Sequence, residues 1–377
     1  MKKKRVFVRI SALAIAALLV AGFILSAALF TKYSIVRAVR GASAGESVQS
    51  DAYTTARAMC TVEASTGRIL YEKNGTDPLP MASTTKVITA ITVLENCDDI
   101  DTPIEIDSRA VGVGEASMYL QKGEKLTVRE LLLGLMLRSG NDAAAALALY
   151  ISPPADKTSR AQIFDNFSAK MSETAVKAGA ANSQFKNPHG LDQDGHYTTA
   201  RDLALVSAYA MRNPTFAEIV ATKDARVSGV EYPRVMKNKN RLLNMMDTCV
   251  GVKTGFTKKA GRCYVGAATS NGMTVVCVVL NCGPMFEETA ALMEQADDEF
   301  TMRRILSIEH LFDCGASGAQ GIPRENFYYP LHAGENVKIS CEGDEVKVHL
   351  NDELIYSGKY NRVNTPRHAC GDATPLV

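Results

Sequence analysis

Ser83 and Lys86 lie at the start of a predicted helix, and their side chains together could attack an acyl group. Residues three apart share one face of a helix, so the serine hydroxyl would lie beside the lysine amine. A serine hydroxyl is a weak nucleophile until a neighbouring base takes its proton. A lysine can be that base when burial and nearby positive charge lower its pKa. The spacing alone is weak evidence, because a helix-capping serine followed by a solvated lysine has the same pattern.

A second polar segment, Ser139-Gly140-Asn141, interrupts a long helical pattern. The serine hydroxyl could relay a proton to a leaving amine. The asparagine carboxamide offers both a donor and an acceptor, which suits the peptide bond of a substrate. The commoner use of such a tripeptide is a turn that ends a helix.

A third segment, Lys253-Thr254-Gly255, ends a β-like run. Glycine lets a substrate approach a strand closely, and the lysine and threonine beside it suit an anionic substrate end. The alternative interpretation is an edge strand that carries a solvated lysine.

The order of the three segments is more specific than any one of them. An S-x-x-K pattern is followed about 55 residues later by S-x-N, and K-T-G follows more than about 100 residues further on. A strand pattern precedes the first segment, a helical block lies between the first and the third, and a strand pattern contains the third. These are the three motifs of penicillin-recognising serine enzymes.

The elements that must position these motifs can be predicted from hydrophobic periodicity. Alternation predicts a hairpin over residues 55–73, with a turn at residues 65–67. Helical patterns cover residues 83–94, 126–150, 161–181, 198–212 and 285–313, and β-rich runs cover residues 250–253, 263–268, 273–280, 337–341, 346–350 and 354–356. The predicted fold class is therefore α+β: an antiparallel sheet covered by helices, with a helical subdomain and a small C-terminal β domain.

The quoted motifs resemble those of the serine-type D-alanyl-D-alanine carboxypeptidases, which are the low-molecular-weight penicillin-binding proteins of peptidase family S11. The resemblance rests on residues 80–90 (PMASTTKVITA), 137–143 (LRSGNDA) and 251–261 (GVKTGFTKKAG), and extends to residues 62–74 and 185–202. It covers roughly residues 55–315. It implies a penicillin-binding/β-lactamase-like domain that removes the terminal D-alanine from peptidoglycan pentapeptide stems through a serine acyl-enzyme. It also implies covalent inhibition by β-lactam antibiotics and a reaction without a cofactor or metal.

The same resemblance implies a role for each motif residue. Ser83 would be the acylated nucleophile and Lys86 its general base. Ser139 would relay a proton to the departing D-alanine, and Asn141 would hold the peptide carbonyl.

The resemblance also implies the substrate-binding residues. Lys253 and Thr254 would bind the terminal carboxylate, with Gly255 beside them. The backbone N–H groups of Ser83 and Phe256 would form the oxyanion hole, and Arg304 would be an arginine near the carboxylate.

Two alternatives use the same scaffold. A class A serine β-lactamase needs a glutamate to activate the deacylating water, and Glu173 is the only glutamate between residues 157 and 182, without the usual surrounding pattern. A catalytically weak peptidoglycan-binding protein is the second alternative, and the three intact motifs argue against it. A Ser-His-Asp arrangement with His189 or His196 is disfavoured because Lys86 already supplies a base, so we interpret the two histidines as parts of a structural loop.

Charge and cysteine content argue against two other classes of function. The chain has 42 Lys+Arg against 41 Asp+Glu, which lacks the basic excess expected of a nucleic-acid binder. Its nine cysteines contain no C-x-x-C pattern and no histidine at zinc-ligand spacing, so no metal site is predicted. An odd number of cysteines also leaves at least one of them unpaired.

The N-terminal segment predicts export. Five basic residues precede residues 10–30, an uncharged stretch of about 20 residues that is long enough to cross a bilayer. We favour an uncleaved signal anchor over residues 1–31, with a cleaved signal peptide as the alternative, because the small-x-small sequence at residues 42–44 lies well beyond the apolar stretch. A linker over residues 32–54, a catalytic domain over 55–318 and a small β-rich domain and tail over 319–377 complete the expected organisation. The basic end stays inside, so the enzyme would face outward from the cell membrane, or be secreted if the signal is cleaved.

Removal of residues 1–31 tests this organisation. With a cleavable export signal in their place, we expect a soluble protein that still reacts with penicillin, because the apolar stretch is the predicted attachment. Cell fractionation of the full chain and the truncated chain measures this. A native protein that begins near Gly45 and still sediments with membranes would contradict it.

Overall fold

The computed structural model describes residues 54–114, 116–153, 158–227, 233–313 and 320–363. The predicted anchor and nearly all of the predicted linker lie outside these ranges. No helix within the ranges is both long and apolar enough to cross a membrane.

In the described residues, a block of helices lies between strand-rich first and last parts of the chain. The helices are α1 Lys86–Glu95, α2 Val128–Leu133, α3 Asn141–Ile151, α4 Arg160–Lys177, α5 Ala200–Met211, α6 Pro214–Ala221 and α7 Met285–Glu299. The strands are β1 Ala58–Glu63, β2 Ile69–Lys73, β3 Pro103–Glu105, β4 Lys125–Thr127, β5 Asp224–Val227, β6 Arg234–Lys237, β7 Cys249–Thr257, β8 Gly261–Ser270, β9 Met273–Leu280, β10 Phe300–Leu306, β11 Phe312–Asp313, β12 Gln320–Pro323, β13 Phe327–His332, β14 Val337–Glu342, β15 Glu345–Leu350 and β16 Glu353–Val363.

The central sheet is antiparallel, with the strand order β2-β1-β9-β8-β7. Strand β9 is apolar along nearly its whole length because it is buried on both faces. Val276, Val278 and Leu280 belong to the core beneath the main group of helices, whereas the alternate residues Val275 and Val279 belong to the core under α7. The period of two in a strand therefore divides one apolar run between two cores. The prediction of an antiparallel sheet covered by helices is confirmed.

Helix starts follow from capping residues. The Thr127 side chain accepts from the backbone N–H of Glu130, whose carboxylate in turn accepts from Thr127 N, and Ser159 with Gln162 forms the same arrangement at α4. Such reciprocal caps satisfy N–H groups that have no partner inside the helix. They place the starts of α2 and α4 close to the predicted positions.

The structure differs from the predicted elements in several places. The stretch of residues 126–150 is divided into α2, a five-residue π-helical turn Gly134–Arg138, and α3. Helix α6 and the β5–β6 hairpin were not predicted. The helical pattern assigned to residues 285–313 is wrong beyond Glu299, where the chain enters strand β10.

The C-terminal part forms two further sheets, β10-β13 and β11-β12-β16-β15-β14, around a third core. Strand β10 lies before residue 319 but pairs with β13, which follows it. This pairing crosses the predicted boundary between the catalytic and C-terminal domains.

A buried arginine joins the C-terminal sheets to the central sheet. Arg68 follows the turn between β1 and β2, donates to Pro330 O and binds the Glu335 carboxylate at 2.5 and 2.8 Å. Its guanidinium lies 5.2 Å from the ring centroid of Phe300 and 5.3 Å from that of Tyr329. Charge pairing and cation–π contact thus act together at one place.

Among the residues that the structure covers, Cys60, Cys97, Cys249, Cys263, Cys277 and Cys282 are free thiols, and Cys341 is disulfide-bonded. The prediction of at least one unpaired cysteine is therefore confirmed. The same residues contain no group of three or more His, Cys, Asp or Glu side chains that could hold a metal ion.

Candidate active site

Ser83 lies in a 3-10 turn, Ala82–Thr85, that leads directly into α1. Ala82 has a left-handed backbone with φ of 49°, and it turns the chain sharply before the serine. The hydroxyl groups of Thr84 and Thr85 donate to Met81 O and Ala82 O at 2.6 and 2.8 Å, which ties the turn together. The flanking residues are buried while Ser83 is half-buried, so the serine hydroxyl is the accessible polar group of this turn.

Lys86 is fully buried, and its amine meets three oxygen atoms. The distances from Lys86 Nζ are 2.9 Å to Ser83 Oγ, 2.8 Å to Asn141 Oδ1 and 2.6 Å to the backbone oxygen of His189. The S-x-x-K spacing therefore brings the two side chains into hydrogen-bond contact.

Burial lowers the pKa of Lys86 well below its ordinary value. The positive charges of Lys253 and Lys239 lower this pKa further, whereas Asp142 opposes the shift. A neutral amine keeps two N–H donors and one lone pair. It can therefore donate to Asn141 and His189 while its lone pair accepts the proton of the Ser83 hydroxyl.

The second segment forms one wall of the site. Ser139 is buried and left-handed, with φ of 64°, and it follows the π-helical turn. Asn141 opens α3, and its backbone N–H donates to Ala116 O at 2.7 Å. Such π-helical interruptions recur at functional sites because they reorient the residues around them. Here the interruption lets the Asn141 carboxamide reach Lys86.

Asp142 holds the loop beside this wall. Its carboxylate accepts from Ser117 Oγ at 2.5 Å and from the backbone N–H groups of Met118, Leu120 and Ala143 at 2.9–3.0 Å. Hydrogen bonds to a carboxylate are the stronger kind. The loop over residues 116–120 is thereby fixed against the start of α3.

The third segment lies on β7, the last strand at one edge of the central sheet. Lys253 is buried, and its Nζ donates to Thr254 O at 3.0 Å. Burial, followed by the charge of Lys239, lowers the pKa of Lys253 to about 7. Thr254 is half-buried, and Phe256 is 66% exposed at the mouth of the site.

Gly255 permits close contact between this strand and the nucleophile turn. A Cβ atom there would lie 3.0 Å from the backbone nitrogens of Ser83 and Thr84 and 3.1 Å from Met81 O. A side chain would push the strand away from the serine, so glycine is needed here for the approach of two backbones. The first and third segments are thereby in direct contact.

Lys239 was not identified from the sequence. Its backbone N–H donates to Leu137 O at 3.2 Å, which places it beside the chain just before Ser139. Burial, with the charge of Arg138, lowers the pKa of Lys239, and the charge of Lys239 in turn lowers the pKa of Lys86 and Lys253. It follows β6 in a run of alternating lysine and asparagine, and that pattern looks like a solvated turn.

His189 and His196 do not form a catalytic triad with Ser83, as expected from the sequence. The Nδ1 atom of His189 accepts from Leu191 N at 3.2 Å, and its ring packs edge-on against Phe164. Burial is the main cause that lowers the pKa of His189 to about 3 and that of His196 to about 4. Both rings are therefore neutral near pH 7, in agreement with a structural role for this loop.

The structure does not bring Arg304 to the site. Arg304 lies on β10 opposite Tyr328, and its guanidinium is 3.5 Å from the exposed Glu309. Strand β10 begins with Phe300, whose ring contacts Tyr71 on β2, and β2 is the edge of the sheet opposite β7. The expected place of Arg304 near the substrate carboxylate is therefore wrong.

Comparison with known proteins identifies relatives. A family profile described as D-alanyl-D-alanine carboxypeptidase matches residues 45–283. The D-alanyl-D-alanine carboxypeptidase DacF of Bacillus subtilis is 30% identical over 251 residues, which cover 65% of this chain and 62% of DacF. The corresponding figures for the D-alanyl-D-alanine carboxypeptidase DacC of Escherichia coli are 32% identity over 237 residues, 60% and 56%. The chain thus spans a little over half of the length of these two relatives.

Solved structures agree with the observed fold. The DD-transpeptidase of Streptomyces K15 superposes with a TM-score of 0.59 at 31% identity, covering 66% of this chain and 98% of that one. The D-alanyl-D-alanine carboxypeptidase DacD of Francisella tularensis covers 87% of this chain with a TM-score of 0.64 at 24% identity, a likeness of fold.

The two buried histidines predict a loss of stability in mild acid. In the unfolded chain, each imidazole ring binds a proton near pH 6.5. In the folded chain, His196 binds its proton only near pH 4 and His189 only near pH 3. Between these values the unfolded state holds more protons, so the free energy of unfolding falls as the pH falls. We expect a decrease of several kcal/mol, since each unit of pKa difference is worth about 1.4 kcal/mol.

Urea unfolding at pH 7.0, 5.5 and 4.5 measures this decrease. A His196→Gln variant provides the control, because it removes one of the two proton sites and should show a shallower pH dependence. An unfolding free energy equal at all three pH values in the unmodified chain would contradict the prediction.

Proposed function

The chain belongs to the D-alanyl-D-alanine carboxypeptidase family of hydrolases, and we propose that it removes the terminal D-alanine from peptidoglycan stem peptides through an acyl-enzyme on Ser83. The observation that carries this proposal is the buried amine of Lys86, 2.9 Å from Ser83 Oγ and close to further lysines. Serine acylation requires a base that is already in contact with the hydroxyl, and burial that lowers the pKa of Lys86 favours the neutral amine that can act as this base.

The first step is acylation. Lys86 takes the hydroxyl proton of Ser83 as Oγ attacks the carbonyl carbon between the two D-alanine residues. The carbonyl oxygen becomes an oxyanion, which the backbone N–H groups of Ser83 and Phe256 would stabilise. The contact of Gly255 with the Ser83 backbone supports this, because it keeps β7 close to the nucleophile turn. Loss of one such donor typically slows a reaction about 10²–10³-fold.

The second step releases D-alanine. The C–N bond breaks, the serine ester remains, and the leaving amine needs the proton that Lys86 accepted. Asn141 contacts the Lys86 amine, and Ser139 lies two residues before Asn141. The Ser139 hydroxyl is therefore the suitable relay between Lys86 and the leaving amine. Asn141 would meanwhile hold the peptide on the acyl side of the scissile bond.

The carboxylate of the substrate would meet a positive end of the site. Lys253 and Lys239 would supply the positive charge, and Thr254 would supply a hydroxyl donor beside them. The pKa of Lys253 is about 7, so a bound carboxylate would favour its protonated form. The residue that recognises the charged end therefore gains its full charge when the substrate arrives.

Deacylation needs a water molecule and a base. Lys86 is neutral again once the amine has left, so it can take a proton from water that attacks the ester. Glu173, considered above for a β-lactamase, lies on the exposed face of α4. This position supports a carboxypeptidase that hydrolyses its acyl-enzyme without that glutamate, and β-lactams would then act as covalent inhibitors.

The cellular role follows from the substrate. Peptidoglycan lies outside the cytoplasm, so we propose action at the outer face of the cell membrane, held by the N-terminal segment. The enzyme would be serine-type and need no cofactor.

Release of D-alanine from a pentapeptide that ends in D-Ala-D-Ala tests the function. We expect release by the unmodified protein and a fall of at least about a thousandfold in Ser83→Ala, since the nucleophile is lost. A fluorescent penicillin should label the unmodified protein at Ser83 only. Covalent labelling of another serine in the Ser83→Ala variant would remove Ser83 from this role.

The lowered pKa of Lys86 predicts how acylation depends on pH. The rate of penicillin acylation should rise with pH as Lys86 loses its proton, and this rise should occur below the pH at which an ordinary lysine amine titrates. Lys86→Arg should be slower by at least about a hundredfold, because a guanidinium stays protonated. Stopped-flow acylation between pH 5 and 9 measures both; a rate that is flat with pH and preserved in Lys86→Arg would exclude lysine as the base.

A further inference from the structure

The loop over residues 184–198 runs along the nucleophile turn and α1. Leu79 and Thr198 exchange backbone hydrogen bonds at 2.8 and 3.0 Å, and Thr89 Oγ1 donates to Pro188 O at 2.7 Å. Gly190 is so close to the turn that a Cβ there would lie 2.0 Å from Ala82 O. The loop supplies His189 O, the oxygen atom nearest to the Lys86 amine.

His196 connects this loop to the nucleophile turn through both of its ring nitrogens. Its Nδ1 accepts from the backbone N–H of Lys186 at 3.0 Å, so Nδ1 carries no proton. The neutral ring then has its proton on Nε2, which faces Thr85 Oγ1 at 3.0 Å. The Thr85 hydroxyl uses its own proton toward Ala82 O at 2.8 Å. Each donor in this series of hydrogen bonds from Lys186 to Ala82 therefore has one acceptor, and the tautomer of His196 is fixed.

A second clamp carries the position of Lys186 forward to the catalytic amine. Asn187 is buried, and its Oδ1 accepts from the backbone N–H of Gly190 at 2.7 Å and of His189 at 3.3 Å. Its Nδ2 donates to Leu191 O and Gln193 Oε1, both at 3.1 Å. The tight turn after Lys186 is thus held rigid, so the place of Lys186 determines the place of His189 O.

We propose that His196 is a positioning residue for acylation: it sets the distance between the nucleophile turn and the loop whose His189 carbonyl orients Lys86. The ring is a rigid spacer with one end on Thr85, which immediately precedes Lys86, and the other on Lys186. Its hydrogen bonds and ring contact are with Thr85, Lys186 and Phe185, and none of them involves Ser83 or Lys86. Without it, the Lys86 amine would keep its partners but lose their fixed arrangement, and the lone pair would point at Ser83 less often. This proposal rests on the proposed acylation of Ser83 and adds a residue that acts through Lys86.

Two substitutions at position 196 separate the hydrogen bonds from the volume of the side chain. His196→Phe keeps a planar buried ring and removes both nitrogens, and it should slow the rate constant of penicillin acylation about tenfold. His196→Gln keeps one acceptor and one donor, and it should stay within about threefold of the unmodified protein. The dissociation constant of the complex that forms before acylation should change little in both, because His196 does not contact the ligand.

A matched control loses a partly buried side-chain hydrogen bond elsewhere. The Tyr71 hydroxyl donates to Glu299 at 2.6 Å at the opposite edge of the sheet. Tyr71→Phe should lower the unfolding temperature as the position-196 variants do, yet it should leave the acylation rate unchanged. A purely structural role for His196 would make His196→Phe behave like this control.

A double-mutant cycle tests the contact itself. Thr85→Val removes the hydroxyl that His196 bonds, so His196→Phe should have a much smaller effect on acylation in a Thr85→Val background than alone. Should His196→Phe not fold, Thr85→Val and His196→Gln still test the proposal, and Thr85→Val must then slow acylation while His196→Gln does not.

The outcomes distinguish this proposal from the proposed function. No acylation of the unmodified protein would overturn both. Normal acylation of the unmodified protein, with folded His196→Phe reacting at the same rate or His196→Gln failing as badly as His196→Phe, would overturn the positioning role and leave the proposed function standing. Additive effects in the double-mutant cycle would also overturn it.

Discussion

A lysine amine buried among other amines is the constraint around which the site is built. Charged, it would be stabilised by three oxygen acceptors and by Asp142, but opposed by the loss of water and by two neighbouring lysines. Burial has the largest effect on its pKa, and the neutral form is favoured. The same burial that makes Lys86 a base also requires every oxygen around it to be fixed, because no water can replace a misplaced partner.

Separate stretches of chain supply those oxygens, and each is held by its own device. The nucleophile turn is closed by threonine hydroxyls, Asn141 is delivered by a π-helical interruption, and the 184–198 loop is clamped by Asn187 and His196. Two glycines make the approach possible, since side chains at Gly190 and Gly255 would collide with the turn that carries Ser83. The site is thus an assembly of backbones in close contact, with a few side chains that act on the substrate.

Sequence reasoning was strongest where the pattern is local. The S-x-x-K spacing on one helical face gave the Ser83–Lys86 contact, and the alternation of residues 55–73 gave the first hairpin. It failed where position depends on distant chain. Lys239 lies beside the site through a backbone contact with the distant Leu137, and the sequence around Lys239 does not indicate this contact. The predicted helix over residues 285–313 is wrong from Phe300 onward, because there the chain pairs with the distant strand β13 as strand β10. The acidic residues that end α7 were an available signal, since negative charge is unfavourable at the C-terminal end of a helix.

The position of β7 at the end of the central sheet has a consequence for the behaviour of the protein in solution. As the outermost strand, β7 has backbone groups that no further strand of its sheet pairs among the described residues, and the same edge of another copy could pair with them. Edge strands are commonly protected by charge, and here Lys258 and Lys259 follow β7 directly, with Lys259 only loosely paired at 3.9 Å from Asp194. Two copies that paired in parallel along this edge would bring these like charges together. The basic turn after the strand therefore disfavours parallel edge-to-edge pairing, which is one of the ways in which two copies could associate.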